Sequence, residues 1–148
     1  MPTYRCTAPA GLLNVEAKAA VAREITRAHK AVTGAATFFA QVVFDEVPEG
    51  SYYLGGSPEA GPHIFVNAQI RAGRSEPVLQ ELVKALIDGV ARAAGLPRLA
   101  VWVYLTELPA RRMAEYGHVL PEPGSEALWL DQLPSDDRAH MLAVGQVR

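Results

Sequence analysis

A strand–helix–strand pattern is written twice in this chain, about 61 residues apart, and that duplication constrains the fold more than any other feature. In the first copy "PTYRC" reads as a strand. "NVEAKAAVAREITRAHKAVTG" reads as a helix with Asn14 as N-cap and Gly34 as its left-handed stop, and "FFAQVVFDEV", rich in β-branched and aromatic residues, as the next strand. Val15, Ala22, Ile25 and Val32 share one helical face with His29. In the second copy "HIFVNAQI" is a strand with Ile64, Val66, Ala68 and Ile70 on one side. "SEPVLQELVKALIDGVARAAG" is a helix capped by Ser75, with Pro77 in its first turn and Gly95 at its end; its apolar face is Leu79, Leu82, Val83, Leu86 and Val90. "LAVWVYLTEL" closes the unit. Two such crossovers predict an α/β (α+β) fold with a sheet covered on one side by two long helices.

A length of 148 residues with 49% apolar content suits one domain with a sizeable core. The whole chain, 1–148, divides into a first repeat at about 2–47, a second at about 63–108, and a C-terminal extension, 109–148. The extension's prolines predict short pieces wrapping a neighbour or the site, with a capped helix in "SDDRAHMLAVG". "PEGSYYLGGSPEAGP" between the repeats reads as irregular backbone. Strands such as "AVWVYL" are apolar on both faces, so the uncovered side of the sheet is expected to pack against another chain.

The net charge of −2 gives no reason to expect nucleic acid or an anionic membrane as partner. The lone cysteine, Cys6, rules out an internal disulfide and fits a reducing cytoplasm. No apolar run approaches membrane-spanning length. His63, His118, His140 and Cys6 lack metal-ligand spacing, and no serine sits in a nucleophile elbow, so neither a metal nor a Ser-His-Asp site is expected.

"RAGRSEP" is the most informative interior stretch. Arg71 and Arg74 stand immediately before a helix N-terminus, where the macrodipole already presents positive charge. Two more cations there oppose the helix unless an anion binds between them and the free N–H groups. A small carboxylate fits better than a nucleotide, because no Gly-rich phosphate fingerprint is present. Two hydrated loop arginines are the alternative. Pro2 raises a second question: once Met1 is removed, its nitrogen becomes a secondary amine able to carry a proton. A proline at a strand's first position is the plainer explanation. Likewise His29 reads alone as a core histidine, Tyr104 as a strand aromatic and Glu115 as a surface carboxylate.

Taken together, Pro2 opening a strand, the duplication, His29, "RAGR", "VWVYLTELP" and "EYGHVLPEPG" resemble the tautomerase superfamily. Within it the chain is most similar to the cis-3-chloroacrylic acid dehalogenase family, over nearly its whole length. The resemblance implies a four-stranded sheet per chain and a homotrimer whose sheets surround a central barrel. It implies the site set Pro2, His29, Arg71, Arg74, Tyr104 and Glu115, a small carboxylate substrate, and no cofactor. It also implies that "KAVTGAATFFAQ" and the "YYLGGSPEAGP" loop border the pocket, where relatives diverge.

On this basis the expected reaction is hydrolytic dehalogenation or hydration of a short 3-halo or unsaturated acid, with Pro2 as general acid, Glu115 activating water, Tyr104 orienting Glu115, and His29, Arg71 and Arg74 binding the carboxylate. Keto–enol tautomerisation of a 2-keto acid such as phenylpyruvate, with Pro2 as base, is the alternative. A non-enzymatic trimeric module or a ferredoxin-like βαββαβ binding domain is a third reading of the same element order.

Overall fold

The computed structural model describes residues 2–58 and 61–144. The duplication is its frame. The first unit is β1 (Thr3–Pro9), α1 (Val15–Thr33), a 3-10 turn (Thr37–Phe39) and β2 (Gln41–Val47). A small hairpin, β3 (Tyr53–Leu54) and β4 (Ser57–Pro58), leads to the second unit: β5 (Ile64–Arg71), α2 (Glu76–Ala94), a 3-10 turn (Arg98–Ala100) and β6 (Val101–Leu108). Both the long helices and the 3-10 turns recur at an offset of 61 residues.

The four long strands form one sheet in the order β2-β1-β5-β6. β1–β2 and β5–β6 are parallel, as crossovers require, and the two halves join antiparallel through β1 and β5. Both helices cover one face. Tyr4, Cys6, Val21, Ile25, Ile64, Val66, Ala68, Ile70, Leu82, Leu86 and Val90 are each 0% exposed between them. Their burial supplies most of the hydrophobic stabilisation.

Helix boundaries follow the punctuation. Asn14 accepts a hydrogen bond from the Ala17 backbone N–H, and Gly34 and Gly95 take left-handed conformations that only glycine adopts without strain. Ser75 occupies the N-cap position of α2 but makes no side-chain cap bond. The buried face of α1 is Val21, Ile25, Ala28 and His29, and Val15, in the first turn, is 76% exposed.

Two expectations are corrected. Phe38 and Phe39 do not begin a strand; they form the 3-10 turn and pack with Leu120, Met141 and Trp129 in a second hydrophobic cluster. The open face of the sheet is not uniformly apolar. Phe65, Trp102, Tyr104 and Val43 share it with Thr3, Arg5, Asn67 and Gln69, and Arg5 bridges to Asp45 at 2.9 Å.

The C-terminal extension comprises a 3-10 turn (Ala110–Arg112), the hairpin β7 (Ala114–Glu115) and β8 (His118–Val119), and helices α3 (Glu126–Gln132) and α4 (Ser135–Val144). It starts where β6 ends, and its second cluster packs on the turn after α1. No helix of the described residues is long and apolar enough to cross a membrane.

Candidate active site

Strand directions put the chemistry at one end of the sheet. β1 and β2 begin there, β5 and β6 end there, α1 ends there and α2 begins there. Pro2 is buried one residue ahead of the Thr3–Gln69 pair, so it stands beside the Ile70–Arg71 end of β5; its carbonyl accepts the Gln41 N–H at 3.0 Å. The first repeat has Ala10 where the second has Arg71, and Leu13 where the second has Arg74. The duplication therefore gives an arginine pair to one end only.

Arg71 and Arg74 line a cavity of about 490 Å³ with the loop from Thr33 to Phe39 on one side and Pro123, Gly124 and Glu126 on the other. Arg71 is 1% exposed. Its Nη1 donates to the Pro121 carbonyl at 2.6 Å, Nη2 donates to Glu126, and Nε has no partner among the described residues. A buried guanidinium needs this compensation to be tolerated. Arg74 is half-buried and donates Nη1 to the Arg71 carbonyl at 2.7 Å. Burial, then the neighbouring Arg71 charge, pushes it below its ordinary value, yet a guanidinium stays charged at any ordinary pH.

Gly73 lets the two arginines approach the extension. Its φ is +113°, and a Cβ there would lie 2.8 Å from Pro123 Cγ.

His29, on the last turns of α1, is buried, and its Nδ1 lies 2.7 Å from the Tyr4 hydroxyl. That hydroxyl has no other acceptor among the described residues, so it donates to Nδ1 and leaves the imidazole proton on Nε2. Nε2 is itself buried without a partner among the described residues. Burial first, then the charges of Arg74 and Arg71, lower the His29 pKa to about 3. His29 is thus a neutral donor, aimed by Tyr4, that acquires no charge near neutrality. Burial also pushes the Tyr4 phenol well above its ordinary value, so it remains a donor. Tyr4 was not among the residues expected here; its place on the buried side of β1 with Cys6 and Ala8 is the only sequence signal for it.

Glu115 and Tyr104 are elsewhere. Glu115, half-buried on β7, lines a second cavity of about 650 Å³ with Thr3, Gln41, Arg112, Met113 and Tyr116. Phe38 and Phe39 form a wall common to both cavities. Tyr116 takes a positive φ of 52° in the turn beside Glu115 and donates to the Phe38 carbonyl at 2.6 Å, which pins that turn to the shared wall. Tyr104 is 57% exposed on the open face of β6, edge-to-face with Phe65. One chain therefore gathers Pro2, His29, Arg71 and Arg74 at one end of the sheet, with Glu115 across the phenylalanine wall, but not Tyr104. The "YYLGG" loop also lies at the far end of the sheet in the same chain, between the end of β2 and the start of β5. The Thr33–Phe39 loop borders the arginine cavity as expected. No group of three or more His, Cys, Asp or Glu among the described residues is placed to hold a metal ion.

A family model described as a putative oxalocrotonate tautomerase enzyme matches residues 1–132. Among solved structures, a crystal structure titled as N1, a member of the cis-3-chloroacrylic acid dehalogenase family, superposes with a TM-score of 0.92 at 34% identity, covering 95% of this chain and 99% of that one. A native fused 4-OT superposes with a TM-score of 0.72 at 26% identity, covering 79% of this chain and 94% of that one. A fused 4-OT titled as an asymmetric trimer, 24% identical with a TM-score of 0.72 over 79% of this chain and 94% of that one, shares the fold. No curated protein sequence matches. The chain is an enzyme of the tautomerase superfamily and belongs, within it, to the cis-3-chloroacrylic acid dehalogenase family.

Proposed function

We propose that this enzyme adds water to short 3-halo or unsaturated monocarboxylic acids, without a cofactor, and that it releases malonate semialdehyde from cis-3-chloroacrylate. The observation that carries the reading is the cavity flanked by two arginines, with the buried, neutral His29 nearby. Its support from relatives is the family of the 34%-identical structure.

Arg74, with the free Nε–H of Arg71, binds the carboxylate and draws electron density toward it as the β-carbon accepts water. His29 Nε2 adds a neutral hydrogen bond. Glu115 takes a proton from the water, and protonated Pro2 delivers one to the α-carbon. The product, 3-chloro-3-hydroxypropanoate, then loses HCl to give the aldehyde. Tyr104, exposed on the open face, orients Glu115 of a neighbouring copy in a homotrimer whose sheets pack around a barrel. Pro2 acts only after Met1 is removed, because until then its nitrogen is a tertiary amide.

The test is a proton NMR time course with cis- and trans-3-chloroacrylate, using protein whose intact mass shows Met1 absent, beside Pro2→Ala. Rapid loss of the cis acid alone, dependent on Pro2, is the expected result. No loss of either acid sinks the reading.

Tautomerisation of a 2-keto acid, with neutral Pro2 as base, is a second reading, favoured by the description of the family model that matches residues 1–132. It uses the arginines but no activated water, so Glu115→Gln spares it and abolishes dehalogenation.

A further inference from the structure

The arginine cavity is less positive than its two guanidinium groups imply. Arg71, 1% exposed, is paired with Glu126 at the start of α3. The other carboxylate oxygen of Glu126 accepts the Gly124 backbone N–H at 2.8 Å. Both oxygens are engaged, so this carboxylate is a fixed piece of the wall and not a mobile plug. Burial pushes its pKa up, but the Arg71 hydrogen bond and charge, with the Gly124 N–H, outweigh that and hold it below the ordinary carboxylate range. Glu126 is therefore ionised wherever the enzyme would work.

Arg74 differs. Its Nη1 hydrogen bond goes to a neutral carbonyl, and it makes no ion pair among the described residues. Among the described residues, the charged side chains lining the cavity are Arg71, Arg74 and Glu126, which together carry one net positive charge. Phe38, Phe39, Leu130 and Leu142 make much of the remaining wall apolar.

We infer that Glu126 is a specificity-determining residue: by cancelling the Arg71 charge from within the wall, it makes this a site for monocarboxylates and excludes dicarboxylates. The inference rests on the reading of Arg71 and Arg74 as the anion site. One carboxylate is matched by Arg74. A second has two places to go, and both are unfavourable. Against the apolar wall it loses its hydration without a partner, and beside Glu126 it meets a like charge at close range. At an effective dielectric typical of such sites, a like charge several ångströms away costs roughly tenfold or more in affinity. An arginine pair with no internal carboxylate would instead welcome a dianion. Glu126, 55 residues from Arg71, removes that possibility.

The experiment compares butyrate with succinate, four-carbon acids that differ in one carboxylate and cannot add water. Their binding is measured by calorimetry above neutral pH for the wild type, Glu126→Gln, Ala127→Lys and Arg74→Gln. The wild type is expected to bind butyrate in preference to succinate, and Arg74→Gln to lose butyrate. Glu126→Gln is expected to shift the ratio toward succinate by roughly tenfold or more. Ala127 is an exposed residue of the cavity wall, so Ala127→Lys adds the positive charge without touching the Arg71 pair. It is expected to shift the ratio the same way, and it decides the matter if Glu126→Gln does not fold. An unchanged ratio in a folded variant overturns the role given to Glu126 and leaves the anion site standing. A wild type that binds no butyrate, or binding indifferent to Arg74→Gln, overturns the anion site and this inference with it.

Discussion

The Tyr4 hydroxyl donates to His29 Nδ1 at 2.7 Å, and because both rings are buried the imidazole is held in the tautomer that carries its proton on Nε2. The core thereby aims a neutral donor whose partner is not supplied by the described residues. Tyr4→Phe keeps the ring and removes only this control. Leaving Nδ1 buried and unsatisfied should cost about 1–3 kcal/mol in urea unfolding. KM for the carboxylate should rise several-fold with a smaller change in kcat, since the lost tautomer preference weakens binding before it affects proton transfer. Unchanged stability together with unchanged KM would remove Tyr4 from the site.

The same burial makes stability depend on acid. Folded His29 has its pKa lowered to about 3, by burial first and then by Arg74 and Arg71, whereas in the unfolded chain it titrates near about 6.5. Between those values the unfolded chain binds a proton that the native state refuses. The contribution is complete above the unfolded value and is lost as pH falls toward the folded one, to the extent of several kcal/mol, on the order of 4. Urea midpoints should fall from pH 7 to pH 4, and the His29 ring should stay neutral by NMR through that range. A His29 resonance that titrates near pH 6 would contradict this.

Gly73→Ala should damage the site from the backbone. At a φ of +113° an alanine is strained, and its Cβ would meet Pro123 Cγ at 2.8 Å. Pro123 belongs to the segment that brings the Pro121 carbonyl and Glu126 to Arg71, so the clash pushes the arginine's partners away. The expected loss is about 2 kcal/mol or more, with weakened butyrate binding. Gly117→Ala is the control: its φ is also positive, at +83°, but a Cβ there meets nothing within 4 Å. It should cost about 1–2 kcal/mol, for strain alone. Equal effects of the two substitutions on butyrate binding would show that the Pro123 contact is irrelevant.

The legible parts of this fold were those with local punctuation. Asn14, Gly34, Pro77 and Gly95 mark two helices of identical length whose positions differ by the repeat offset. Phe38 and Phe39 were misleading because an aromatic pair before "VVF" looks like a strand, and the residues that draw it into a 3-10 turn, Leu120, Trp129 and Met141, lie some eighty or more positions later. The alternation in β5 is visible at Asn67 and Gln69, whereas Trp102 and Tyr104 on the same open face hide it in β6. At the site, Arg71 and Arg74 were readable because two cations before a helix N-terminus demand an explanation. Tyr4 and Glu126 were not, because each matters through a partner distant in sequence.

The exposure of Tyr104 sets the last test. Within one chain Tyr104 stands on the open face of β6 and is not among the residues lining the cavity that holds Glu115. If assembly supplies Tyr104 from a neighbour, Tyr104→Ala and Glu115→Gln each disable every site of a pure oligomer. A mixed oligomer still contains sites that pair an intact Tyr104 from one copy with an intact Glu115 from another. Subunits of the two variants, unfolded together and refolded, should therefore recover a measurable fraction of cis-3-chloroacrylate turnover that neither shows alone. Mixing without unfolding should recover none. Activity absent after verified exchange of subunits would place Tyr104 outside the neighbour's site and return it to a packing role against Phe65.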